Sequence, residues 1–386
     1  MKKTIFILII STCYIGCKVD DYYRHFDADN ISEKNIQIES VLLDSLILDS
    51  VNTSHVGFVS IQQDSIFFID QILCKVFSYD YNGEAFSEHL GIGRGPGEFT
   101  HDYIETYCKL PNGDHLFIGS SFDVHIFDKN WERAEWFTMD WQSSARDVHP
   151  VNPSPEEHFM LYTMEYTKFI VRPTSNNEVI LPIFSQHQYF NPWTERYYKE
   201  GRIMALLDLE SGKVTKIFGR RSPEYLNYEF VGHHSFFSFD IDSDDNIYIA
   251  HEIDSLIYVY DNDHNPLYTF GLSGKDMDTD YQEFANFSME HLMKLYNEDR
   301  PTRGWYNEIE YFEDHDILFR SYKKGGHSQY DGLQIYQNNV LIGDINVPKD
   351  FNVKGYIEPY FYSGAFIDVQ KGEIKLYRIE LPLVVK

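Results

Sequence analysis

Residues 235–271, SFFSFDIDSDDNIYIAHEIDSLIYVYDNDHNPLYTFG, contain four short apolar runs separated by polar turns. The runs fall at 236–241, 247–250, 256–260 and 267–270. Each is rich in Ile, Val, Tyr or Phe and is bounded by Asp, Asn or Gly, which reads as an antiparallel meander of four strands. One such sheet cannot bury both of its faces, so copies of it must stack. That requirement predicts a β-propeller.

The third run ends in an aromatic residue followed by Asp, and similar strands recur along the chain. They are VFSYD at 76–80, VHIFD at 124–128, MALLD at 204–208, IYVYD at 257–261, LQIY at 333–336 and IKLY at 374–377. The equivalent positions Tyr79, Phe127, Leu207, Tyr260, Tyr336 and Tyr377 are 48, 80, 53, 76 and 41 residues apart. A propeller blade takes roughly 40–50 residues. The two longer spacings therefore place insertions in blades three and five, near 143–202 and 274–304. The expectation is an all-β, six-bladed propeller of four-stranded antiparallel blades spanning 38–386, with one helical insertion. Blades three and six match the repeat least well, which leaves five or seven blades as alternatives. The helix is expected over 281–297, where Phe284, Phe287, His291, Leu292 and Leu295 recur at helical spacing. Thr279 or Asp280 would cap it. A ring also needs closing, because unpaired edges invite association. Residues 38–48, IESVLLDSLIL, are expected to form the outer strand of the last blade, with 381–385 competing for that place.

The chain has 386 residues, 43% of them hydrophobic and 16% aromatic, enough for a large β core. Its formal net charge of −27 argues against nucleic acid and polyanionic surfaces as partners. Lys2, Lys3 and the apolar run 5–10 make an export signal too short to span a bilayer. Tyr14-Ile15-Gly16-Cys17 resembles the lipobox of bacterial lipoproteins, with Tyr14 where Leu is usual. The resemblance implies a signal peptide over 1–17, a lipidated Cys17 and a membrane partner through that anchor. Lys18-Val19-Asp20-Asp21 resembles the acidic export tag of surface lipoproteins of the Bacteroides type. Localisation in the cell envelope, on the outer membrane, follows as an expectation, with surface display implied by the acidic tag. Residues 18–37 read as a polar tether. After processing only Cys74 and Cys108 remain, read as two buried thiols more readily than as a disulfide.

Residues 91–99, GIGRGPGEF, demand a tight turn with positive φ values. The turn is similar to the blade-to-blade signature of NHL-like and TolB-like propellers. It is especially similar to exported Bacteroides-type propeller lipoproteins, with Gly91, Gly93, Gly95, Pro96, Gly97, Glu98 and Phe99 at the matching positions. Residues 219–225, GRRSPEY, are a weaker second copy, and Phe270-Gly271 begins a third. The resemblance implies a fold and a location, since members of the family are largely without assigned activity. Pro96 and the missing helix exclude a dinucleotide-binding loop. Glu98 is expected to accept hydrogen bonds from turn amides, and Arg94 at the apex is a ligand candidate.

No catalytic constellation stands out. Asp240, Asp242 and Asp244 start like a calcium loop, but Asp245 and His251 occupy the positions that need Gly and Glu, so the stretch reads as a turn. His233, His234 and His251 are the best metal candidates, with His101 and His327 as outlying additions, and a divalent ion is the one cofactor considered. No G-x-S-x-G elbow occurs. Trp193, Trp305, Tyr306 and Tyr360 are candidates for stacking on a sugar or peptide, as are Tyr311, Tyr356 and Tyr362, against a plain role in packing. Asp-Ser pairs at 44–45, 49–50, 64–65 and 254–255 resemble the O-glycosylation acceptor of exported Bacteroides-type proteins. Three functions remain. One is an envelope module that binds or scaffolds a glycan, a peptide or a protein partner at the face carrying the insertions. The second is a metal-assisted lyase or hydrolase at the channel mouth. The third is a purely structural partner subunit of an outer-membrane assembly.

Overall fold

The computed structural model describes residues 21–62, 64–100, 102–142, 153–283 and 289–381. Six antiparallel sheets follow one another along the chain. Blade four is the stretch quoted above: Phe237–Ile241, Ile247–His251, Ile257–Tyr260 and Pro266–Phe270 pair in sequence order. Blade one runs Gly57–Ile61, Ile66–Asp70, Lys75–Tyr79 and Ala85–Leu90. Blade two runs Ile104–Lys109, His115–Gly119, Asp123–Phe127 and Arg133–Thr138. Blade five runs Trp305–Phe312, Ile317–Lys323, Asp331–Gln337 and Val340–Val347. The middle strands of blades one, two and four are buried at every position but Lys75, as sheets stacked on both faces must be.

Six apolar clusters occupy the six junctions between neighbouring blades. Phe99 and Phe117 seal one with two, Ile203 and Phe239 three with four, and Phe319 and Phe361 five with six. Val59 and Leu376 join six back to one, which closes the ring. Each buried Phe or Ile contributes about 1.5–3 kcal/mol.

Blade six is made from both ends of the chain. Val353–Ile357 is innermost, Tyr360–Ser363 and Phe366–Asp368 form an interrupted second strand, and Glu373–Glu380 is third. Leu43–Ile47 pairs antiparallel with that third strand as the outermost one. Closure by the early segment is therefore as expected, and the rival 381–385 lies, beyond Leu381, outside the described residues.

Two boundaries differ from the sequence reading. Residues 18–37 are not a free tether from Asp21 onward. Asp21–His25 is a short helix, Asp29–Asn30 adds a parallel strand to the outer edge of blade four, and Glu33–Ile38 does the same for blade five. Polar composition misled here, because an outermost strand needs only backbone pairing and one anchoring side chain such as Ile38, which is buried. The supposed insertion 143–202 contains the first two strands of blade three. The inner strand is split into Tyr162–Met164 and Arg172–Pro173, and both pieces pair with Glu178–Ser185. Met204–Asp208 and Lys213–Phe218 complete the blade. The broken strand carries no run of alternation long enough to read.

The helix of the second insertion spans Met289–Glu298, and Leu292 and Leu295 are buried. Tyr281–Glu283 is not helical, so Thr279 and Asp280 do not cap it, and Phe284 and Phe287 lie outside the described residues. Cys74 and Cys108 are both buried and unpaired with each other. No helix among the described residues is long and apolar enough to cross a membrane.

Candidate functional site at the insertion face

Each blade runs inward strand down and second strand up. Loops that join one blade to the next and loops that join second to third strands thus share one face. The long segments 139–161, 186–203, 219–236 and 271–304 are all of these two kinds. The two insertions therefore fall on the same face, as the binding hypothesis requires.

The split in blade three sends residues 165–171 across the axis. Lys168 Nζ donates to the Asn307 carbonyl of blade five at 2.8 Å and pairs with Glu252, at the top of blade four, at 2.8 Å. Glu252 is fully buried and also takes a bidentate pair from Arg300, at 2.7 and 2.8 Å. Burial alone would raise its carboxyl, but Arg300 and Lys168 outweigh that and hold it down at about 2. The face of Trp305 is covered by the same two cations, at 4.2 and 4.8 Å from its ring centre.

Beside Glu252 lie His233, His234 and Asp299, all fully buried, each offering one ligand atom within 4.8 Å of the others. This trio is capable in principle of holding a metal ion. Its present bonding is that of a structural network. His233 Nε2 donates to Asp299 Oδ2 at 2.8 Å, and Asp299 also accepts from Arg303 Nε at 2.9 Å and the Gln282 amide at 3.1 Å. His234 Nδ1 faces Arg300 at 3.3 Å, and burial pushes His234 down to about 3. Burial lowers both imidazoles and so favours the neutral form that ligation needs, but two guanidinium groups already serve the site's acceptors. His251 is not part of it. It is packed among Tyr225, Tyr258 and Phe237 one strand away, because alternation turns it toward the blade three interface.

Two cavities open on this face and share Trp193. One, of about 530 Å³, is walled by Tyr23, Tyr198, Tyr225, Tyr228 and Phe230. The other, of about 370 Å³, is lined by Glu165, Thr167, Ser235, Phe236 and Tyr296. Glu165 is 8% exposed and accepts the Thr167 amide at 2.9 Å, and burial raises its carboxyl above the usual range. The aromatic walls come from both insertions and from the loop 219–236, so the groove exists only because these loops converge. A further cavity of about 580 Å³ lies at the opposite end of the axis, where Arg172 pairs with Asp240 at 2.5 Å and Glu310 at 2.8 Å.

The other sequence candidates scatter. Tyr306 is buried beneath Arg320, 3.9 Å from its ring centre, and its hydroxyl serves the backbone at 272–274. Tyr360 sits by the turn at the far end of blade six, under Arg378. Arg94 is exposed at its turn and borders neither groove cavity. Glu98 acts as read, accepting the Gly95 amide at 2.6 Å. Asp242 accepts the Asp244 and Asn246 amides, so that stretch is a turn. His101 and Cys17 lie outside the described residues. Sequence reasoning missed Glu165, Glu252, Asp299 and Arg300. Only the last two carried a signal, as the charged run Asp299-Arg300-Pro301-Thr302-Arg303 after the helix.

No family model matches the chain, and no curated protein does. Among solved structures, a member of the DUF4221 family from Bacteroides vulgatus superposes with a TM-score of 0.61 at 11% identity, covering 88% of this chain and 98% of that one. A protein of unknown function from Bacteroides caccae gives 0.41 at 9% identity, covering 79% and 94%. A luciferin-regenerating enzyme gives 0.44 at 8%, covering 88% and 96%. The last two carry no argument, and the first speaks to fold alone: the chain is a six-bladed β-propeller resembling that DUF4221-family protein.

Proposed function

We propose that this propeller is a glycan-binding module of the cell envelope, anchored through a lipid on Cys17, that takes a neutral oligosaccharide in the groove on either side of Trp193. The observation that carries the reading is the convergence of two insertions on one face around two cavities with a common tryptophan. Aromatic faces stack on sugar rings, while Glu165, Gln186 and Asn191 supply hydrogen-bonding groups of the kind hydroxyls need. A charge of −27 disfavours polyanionic glycans. Outer-membrane placement follows from the residues around Cys17. Calorimetry against a panel of neutral oligosaccharides should find saturable binding, and Trp193→Ala should weaken it about tenfold, the worth of one stacking face. Arg94→Ala and Tyr360→Ala should leave it unchanged. No binding across the panel, binding of peptides instead, or an unaffected Trp193→Ala would overturn the proposal.

The second reading, a metal-assisted lyase or hydrolase, is favoured by the His233, His234 and Asp299 trio. A catalytic ion needs an open position for substrate, and all three residues are fully buried. Metal analysis of protein equilibrated with zinc separates the readings: one ion per chain, lost in His234→Ala and kept in His251→Ala, supports the enzyme.

A further inference from the structure

The segment that links the anchor to the propeller is very short. Tyr22 is 3% exposed and its hydroxyl donates to the Arg221 carbonyl at 3.2 Å, on the loop that leads into blade four. His25 stacks on Tyr260 at 4.6 Å and Phe26 meets Tyr258 edge-on at 5.1 Å. Asp29–Asn30 then pairs with blade four. The helix Asp21–His25 thus starts at the rim of the insertion face, where Tyr23 walls the larger groove cavity, and runs down the flank of blade four to His25 beside Tyr260.

The next step rests on the proposed lipid at Cys17. Three residues separate Cys17 from the start of that helix, and the four steps from Cys17 to Asp21, fully extended, span at most about 14 Å. We infer that the anchored protein holds its insertion face against the headgroup layer of the bilayer, with the groove over Trp193 opening into a gap of about that height. An extended glycan strand fits such a gap. A folded domain does not, since one of 100 residues has a radius of gyration of about 13 Å and a diameter near 30 Å. The ligand of this face is accordingly a flexible chain, and folded partners are left to the opposite face and the blade edges.

The test uses the lipidated protein in vesicles of phosphatidylethanolamine and phosphatidylglycerol with a headgroup-bound quencher. Fluorophores are placed through Tyr189→Cys and Met293→Cys on the insertion face, where both residues are exposed, and through Asn112→Cys and Asp263→Cys in the opposite turns. Labels at 189 and 293 should be quenched severalfold more than those at 112 and 263. Equal quenching, or the reverse order, overturns the inference while leaving the lipid in place. A Gly-Ser linker of about 20 residues after Asp20, with a root-mean-square reach of ~25 Å, should erase the difference. Its persistence would show that the short leash is not the cause. Failure of the parent protein to float with vesicles, or an unlipidated mature mass, removes the anchor and the inference with it, whatever the result of glycan calorimetry.

Discussion

The two ends of the propeller axis are built from the same three blades but with opposite charge arithmetic. At the insertion face one carboxylate, Glu252, sits between two cations, Lys168 and Arg300. At the far end one cation, Arg172, sits between two carboxylates, Asp240 and Glu310. Broken blade three supplies one member to each cluster, Lys168 above and Arg172 below. The upper anion is overcompensated and cannot escape its charge. The lower pair of acids has one counterion, so burial and the neighbouring Asp240 outweigh Arg172 and push Glu310 up to about 8. One end is locked by charge and the other can take up a proton.

Glu252→Gln should be the most damaging change, because it leaves two buried cations without their anion. Its expected cost is about 3–5 kcal/mol, read from denaturant unfolding, together with loosening of the loops around Trp193. Arg172→Met should cost less, about 2 kcal/mol, since the Glu310 it abandons can take up a proton. That loss should grow from pH 5 to pH 8. A cost at the far end equal to that at Glu252 would break the contrast.

The pH dependence sharpens the same point through two opposite slopes. Glu252 is depressed in the folded state, so its contribution is present above the ordinary glutamate pKa of about 4.3 and is lost as pH falls toward 2. Glu310 is raised, so the folded state favours its protonated form. Stability from it is greatest below about 4.3 and declines as pH rises toward 8. Glu310→Gln should flatten stability between pH 5 and 8 and leave the acid limb alone. An unchanged slope above pH 5 would refute proton uptake by Glu310. The smallest effect on stability belongs to Trp193→Ala, under about 1 kcal/mol, even as glycan affinity falls.

Blade four could be read from sequence strand by strand because alternation, Asp-rich turns and terminal aromatics all agreed. Gly91 and Gly271 share a φ of 130°, so the glycine after an outer strand was a real marker of the blade junction. Blade three gave way because its inner strand is interrupted by residues that serve the axis instead of the sheet. The same interruption hid the site. Glu165 and Lys168 look like ordinary surface polar residues, and nothing local shows that Glu252, some 85 positions later in the sequence, lies beside them. His233 and His234 were visible as a pair, but their partner Asp299 arrives just past the insertion helix, and contacts of that range leave no periodic trace.

The strand Leu43–Ile47 has a consequence for how the protein is made. Asp44 meets Arg378 at a sequence separation of 334, and bringing such distant segments together costs about 2 kcal/mol more than a link a tenth as long. Synthesis therefore delivers five blades before the sixth can be completed, and this early β segment waits for the last one, Glu373–Glu380. Maturation is set by arrival of the carboxyl terminus, and until then Phe361 and Leu376 have no finished sheet to cover them.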